Sequence, residues 1–391
     1  MTTEGYKFGL ALSGGGSRAA AFHLGCMRAL NDRGILDQVR TLSTVSGGSV
    51  IGALWAYSDD SFDEFDERMQ ALLRKGLKSG IIRHTFFSGT TLKIAATVVT
   101  SGLVAVVCSI ISFAMSLLGM IGVPNSALRK LKKSLQAPFP RFASRTTAFA
   151  EFLDSEYFKG ATLKDIKRKN LQIVINATEL RTESAYRFGS MESGCWRFGK
   201  LVDDTSVAKA VAASAAFPAI LPALDEQRRY IKRGETSTHR TIVTDGGVYD
   251  NLGTSCLIPG RNSSFSTNVT ETNFIIACVA GQGIPDGSNL PYFWPARMVA
   301  TINTIHRRTH SMTFDLLHRL KSSGEIQGFL LPYLGQNDSD LPCPPKDLVP
   351  RDATFDYPTD FDPMSQKDLE ILALRGEQLT RNLIETYCPE L

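Results

Sequence analysis

Ser46 lies in Thr44-Val-Ser-Gly-Gly48, close to the G-x-S-x-G elbow, where a serine on a sharp strand-to-helix turn is exposed and small neighbours such as Gly48 relieve backbone crowding. Thr44 stands where that pattern has its first glycine, and a β-branched residue fits there if it ends the strand. Upstream, Gly14-Gly-Gly-Ser-Arg18 opens a helix. The N–H groups of Gly14, Gly15 and Gly16 can converge on one point where the helix dipole adds positive potential, which suits a developing oxyanion or a phosphate. The chain has neither G-x-x-x-x-G-K-[ST] nor G-x-G-x-x-G, so the oxyanion is favoured over a nucleotide phosphate. Arg18 is expected to buttress the loop by donating to backbone carbonyls. Asp245, in Thr244-Asp-Gly-Gly247, follows an apolar strand and offers a carboxylate, although Asp-Gly-Gly by itself also suits a hairpin turn.

Six histidines accompany these residues: His23, His84, His239, His306, His310 and His318. Ser46, Asp245 and then His306 or His310 would satisfy the Ser…Asp…His order of α/β-hydrolases, which makes a triad the mechanistic rival to any pairing of serine and aspartate alone. His306 and His310 also have helical i, i+4 ligand spacing, but without the glutamate of H-E-x-x-H they do not make a zinc motif, and no metal is expected. Seven scattered cysteines, odd in number and never spaced as CxxC, argue for reduced thiols.

The elements that must position this chemistry read as alternating strands and helices. Phe8–Leu12 is a short apolar run, and Ala19, Phe22, Cys26, Met27 and Leu30 then recur at helical spacing up to Gly34. The pattern repeats with Thr41–Val45 as strand and Ser49–Tyr57 as helix. Leu171–Ala177, Arg240–Thr244 and Phe274–Ala280 read as further strands, and Ser206–Ala216 as a small-residue helix. After a stretch rich in Pro and Asp, an amphipathic helix carries Leu369, Leu372, Gly376, Leu379 and Leu383 on one face. Successive strand–helix units predict an α/β fold with a central, mostly parallel sheet and helices on both faces.

The glycine loop, the serine elbow and the Asp-Gly-Gly turn, in that order, together with Ala213-Ser-Ala-Ala-Phe-Pro218 and Leu221-Pro222, resemble the patatin-like phospholipase family. The likeness spans most of Phe8–Asn251, is interrupted between about Thr85 and Arg145 and has an echo in the C-terminal helix. It implies a three-layer α/β domain over 1–391, an insertion at 85–145 and a closing helix at 364–391. It also implies a Ser–Asp dyad without histidine or cofactor: Asp245 accepts the Ser46 proton, Ser46 attacks an ester carbonyl, Gly14, Gly15 and Gly16 form the oxyanion hole, and water releases the acyl group. The expected substrate is a membrane phospholipid or related lipid ester. An acyltransferase or thioesterase on the same dyad, and a non-catalytic lipid-binding protein, remain the alternatives. Because an ordinary aspartate, with a pKa of about 3.9, is a poor base for serine, the site must desolvate Asp245.

One segment stands apart. Ile94–Leu128 is 35 residues without a charge, bracketed by Lys93 and by Arg129, Lys130, Lys132 and Lys133. Its first 30 residues, Ile94–Val123, exceed the ~20 needed to span a bilayer. A single crossing would leave Ser46 and Asp245 on opposite sides of the membrane, so the expectation is a shallow hairpin bent at Ser101-Gly102 or Gly119–Pro124, an interfacial helix, or a helix folded over the acyl pocket. A plain buried core helix is the other reading. The basic flank would meet anionic head groups. With a net charge of only +4 and no basic block interleaved with aromatics, no nucleic-acid partner is expected. The polar N-terminus lacks the pattern of a secretory signal, which points to a cytoplasmic, membrane-associated protein.

Overall fold

The computed structural model describes residues 5–87, 89–120, 140–218, 220–285, 287–288 and 290–391. The opening rhythm is β1 (Phe8–Leu12), α1 (Gly16–Asp32), β2 (Val39–Val45) and α2 (Gly47–Ala56), followed by α3 (Phe62–Lys75), α4 (Lys78–Phe87), α5 (Thr90–Met120) and α6 (Arg145–Leu153). The sheet resumes with β3 (Gln172–Glu179), β4 (Ser184–Gly189), β5 (Ser193–Cys195) and β6 (Gly199–Leu201). Next come α7 (Val207–Ser214), β7 (Leu224–Lys232), β8 (Glu235–Asp245), β9 (Phe274–Cys278), α8 (Trp294–Ser322), β10 (Gly328–Leu330) and α9 (Gln366–Tyr387).

The sheet is mixed, which corrects the expectation of a mostly parallel one. Strands β10, β9, β1, β2 and β3 lie side by side and run parallel. From β3 onward every pairing is antiparallel, and β8 returns to pair with β3, so β3 to β8 close into a ring. Short connections explain this: β4, β5 and β6 are joined by turns too brief for the crossover helix that parallel neighbours require.

In the parallel half, alternate residues sort onto two faces. Leu10 and Leu12 of β1, Ile276 of β9 and Ile173 of β3 meet the core under α1, α2 and α9, whereas Ala11, Ile275, Ala277 and Val174 face Leu317 and Leu320 of α8. Helices therefore cover both faces there.

Register decides which loops meet. Leu12 pairs with Thr44, so the glycine loop and the serine elbow leave adjacent parallel strands at the same level. On its next neighbour, Val45 is opposite Asn176, and Asp245 of β8 is opposite Ala177. Because β4 occupies the other edge of β3, β2 and β8 meet end to end along one edge. Their last residues are one strand position, about 3.3 Å, apart in register.

The apolar segment differs from two of its expectations. Helix α5 runs unbroken through Ser101 and Gly102 for 31 residues, about 46 Å. Only 11% of its most apolar stretch is buried, so it is not a core helix. Residues 121–139, which include the second expected bend and Arg129, Lys130, Lys132 and Lys133, lie outside the described residues.

Candidate active site

Ser46 sits between β2 and α2 with φ 52° and ψ −118°, a conformation that costs a non-glycine residue about 1–3 kcal/mol and persists only where its surroundings impose it. Here they do. A Cβ on Gly47 would lie 2.2 Å from the Gly16 carbonyl oxygen, and one on Gly48 would lie 2.3 Å from that of Leu12. The first turn of α2 is thus pressed onto the glycine loop, and Ser46 alone of residues 41–50 keeps access to solvent. Thr44 is the penultimate residue of β2 and fully buried; its hydroxyl accepts from Ser49 at 3.1 Å, and its methyl fills the space left by the missing side chain of Gly52. The departure from the elbow pattern is accommodated by this pairing.

Asp245 is the last residue of β8 and is 2% exposed. One carboxylate oxygen accepts the Gly247 N–H at 2.6 Å, and the Ser46 hydroxyl is its other hydrogen-bonding neighbour. Burial pushes the carboxyl up to about 7, against the opposing pull of those two donors. The Ala213–Pro218 segment holds this turn. Asp245 and Gly246 donate their N–H groups to the carbonyls of Ala216 and Ser214, at 3.1 and 3.2 Å. The Ser214 hydroxyl also accepts the Ser46 N–H at 3.0 Å and donates to the Asn176 carbonyl at 2.6 Å. One serine therefore ties the elbow, β3 and the aspartate turn together.

The glycine loop needs one correction. The Gly14 N–H donates to the Asn251 carbonyl at 3.0 Å, so Gly14 cannot give that proton to an oxyanion. Its part is steric: a Cβ there would meet the Asn251 side-chain oxygen at 2.4 Å and the Ser46 Cβ at 3.3 Å. Gly15 and Gly16, at φ 149° and 62°, have N–H groups with no hydrogen-bond partner among the described residues. The loop is braced by Arg18, which donates to the carbonyls of Ala280 at 3.1 Å and Tyr357 at 2.9 Å. Burial lowers this guanidinium to about 10, with Asp360 opposing the shift, and it stays charged at neutral pH. His23 bonds the Ser13 carbonyl at 2.9 Å, and the Ser17 N–H donates to that of Asp360 at 2.7 Å.

His306 and His310 lie on α8, which packs on the turn Gly247–Asp250. Burial lowers both, His310 to about 4 with His306 adding to the effect, so neither is charged at neutral pH. His306 has the Gly247 backbone as its hydrogen-bonding neighbour, not the Asp245 carboxylate. Among the described residues no cluster suited to a metal ion occurs. Asn251 and Ser214 are the site residues that motif reading passed over. Ser214 lies within the Ala213–Pro218 motif, but only its partners reveal its use.

A strained elbow serine beside free glycine amides and a desolvated aspartate, on an α/β sheet, is an arrangement suited to acyl transfer through the serine. The chain belongs to the patatin-like phospholipase family, whose sequence model matches residues 10–258. Among solved structures, human GIVD cytosolic phospholipase A2 aligns with 96% of this chain and 61% of its own, at 12% identity and a TM-score of 0.52. VipD from Legionella pneumophila aligns with 98% of this chain and 67% of its own, at 13% identity and a TM-score of 0.38. This chain thus spans about three-fifths of the human enzyme, and at such identity the likeness is one of fold. No curated protein matches.

Proposed function

We propose that the protein is a lipid acyl hydrolase of the phospholipase A type, working through Ser46 and Asp245. The Ser46 oxygen attacks the ester carbonyl carbon while its proton passes to Asp245. The carbonyl oxygen takes up the negative charge beside the Gly15 and Gly16 amides, the ester C–O bond breaks, and the leaving alcohol takes the proton from Asp245. Water then repeats the sequence on the acyl-Ser46 ester and frees the fatty acid. The observation that carries this reading is the buried Asp245 carboxyl, raised to about 7 with the Ser46 hydroxyl beside it. It is close to what a general base at neutral pH requires. The dyad is preferred to a triad because the carboxyl's hydrogen-bonding neighbours are Gly247 and Ser46, not a histidine.

The substrate is proposed to be an acyl ester of a membrane phospholipid, reached by a protein that associates with the bilayer through α5. The test is fluorophosphonate labelling together with product analysis on phospholipid vesicles. Wild-type protein should be labelled at Ser46 and release free fatty acid. Ser46→Ala and Asp245→Asn should each lower turnover roughly ten-thousand-fold. Equal turnover in folded Ser46→Ala would end the proposal; acyl transfer to an added alcohol or thiol in place of water would favour the acyltransferase reading, and hydrolysis of an acyl thioester in preference to the phospholipid would favour the thioesterase reading.

A further inference from the structure

Helix α8 carries apolar surface that the acyl-transfer chemistry does not use. Its fully buried residues, Leu317 and Leu320, come late, whereas every residue from 290 to 299 is exposed. Tyr292, Phe293 and Trp294 stand in sequence with 77%, 72% and 73% of their surfaces in water, flanked by Leu290 and Met298. Isolated exposed apolar side chains are ordinary, but a contiguous aromatic group marks a contact surface. Its charge is one-sided: from Trp294 to Arg308 the helix has Arg297, Arg307 and Arg308 and no acidic residue. Tyr292 and Trp294, apolar in body with a polar edge, together with the wholly apolar Phe293 and the nearby arginines, match the boundary between lipid tails and anionic head groups.

The position is informative as well. Through the His306 region α8 rests on the turn after Asp245, and Trp294 stands about 18 Å further along the same helix. We propose that the Tyr292-Phe293-Trp294 tip and its arginine flank form a docking surface for an anionic lipid bilayer, distinct from α5, that sets the mouth of the Ser46 site against the interface. The role assigned to docking rests on the acyl-hydrolase reading; the binding itself does not.

The experiment uses full-length Ser46→Ala protein, so that binding is read without hydrolysis, with phosphatidylcholine vesicles made with and without phosphatidylserine. Trp294 should report directly. A blue-shifted emission and quenching by bromolipid should appear on vesicle addition, grow with phosphatidylserine and vanish in Trp294→Phe. The triple variant Tyr292→Ser, Phe293→Ser, Trp294→Ser should weaken partitioning about tenfold. Arg297→Glu with Arg308→Glu should remove most of the dependence on phosphatidylserine. Unchanged thermal melting shows that the variants fold. The proposal is overturned if vesicles bind the protein while Trp294 emission stays fixed. It is equally overturned if lipid-free protein forms a dimer that the triple variant abolishes, since the patch would then belong to a second copy of the chain. If Trp294 responds but wild-type protein releases no fatty acid, docking stands and the acyl-hydrolase reading fails.

Discussion

Asp245 is the residue on which the proposed chemistry turns, because three influences meet on its carboxyl. Burial raises it to about 7, while the Gly247 N–H and the Ser46 hydroxyl pull the other way and lose. In its proposed role of general base it must be ionised, so kcat/KM on a soluble short-chain ester should rise about tenfold per pH unit below pH 7 and level off above it. A profile already flat from pH 5 upward would contradict this. The same shift bears on stability. The folded state binds the Asp245 proton more tightly than the unfolded chain, so its contribution is fully present below about pH 4 and lost as pH rises through about 7. Asp245→Asn should therefore melt at a higher temperature than wild type at pH 8, with the gain vanishing near pH 4; thermal denaturation at the two pH values reads it directly. Ser46 and Asp245 were legible in the sequence because each sits in a short glycine-bounded motif. The duty of each loop glycine was not, since only the Asn251 carbonyl reveals that the Gly14 N–H is engaged.

Among the elements, the contact of α2 with the glycine loop holds Ser46 in its strained geometry. Gly47→Ala would force a Cβ to 2.2 Å from the Gly16 oxygen, a backbone atom that cannot rotate away. It should cost about 1–3 kcal/mol of stability through overpacking and lower esterase turnover at least a hundredfold, by separating elbow and loop. Gly102→Ala, which meets nothing within 4 Å, is the control and should leave both unchanged or slightly raise stability. A Gly47→Ala enzyme with normal turnover would show that the close approach is dispensable. Strands β1 and β2 and helices α1 and α2 could be read from periodicity, as their apolar residues recur over enough positions to set a period. Strands β5 and β6, of three residues each, are too short to do so.

At the scale of the molecule, a body carrying both Ser46 and Asp245 is joined to a long apolar helix that it does not bury. Val98, Leu103, Val106, Ile110 and Phe113 of α5 are all exposed. Since the two site residues share one body, a lone crossing of the bilayer by α5 would separate what the fold holds together; under the proposed function α5 would lie on the membrane or enter it in a path that returns to the same side. Deleting 94–123 should sharply weaken sedimentation with phospholipid vesicles, down to the residual binding of the α8 tip, while leaving fluorophosphonate labelling of Ser46 intact. Unchanged sedimentation would remove α5 from the membrane-binding surface and leave the α8 tip to account for it.

The chemical groups, their order along the chain and the elements bearing them were determined by the sequence itself, because glycine placement and apolar spacing act over a few residues and need no distant partner. Tertiary structure decided the rest. The antiparallel ring from β3 to β8 brings Asp245 end to end with β2, a meeting created by hydrogen bonds between residues far apart in sequence. There Asp245 is removed from water, and with burial comes the raised pKa that its proposed role as base to Ser46 calls for.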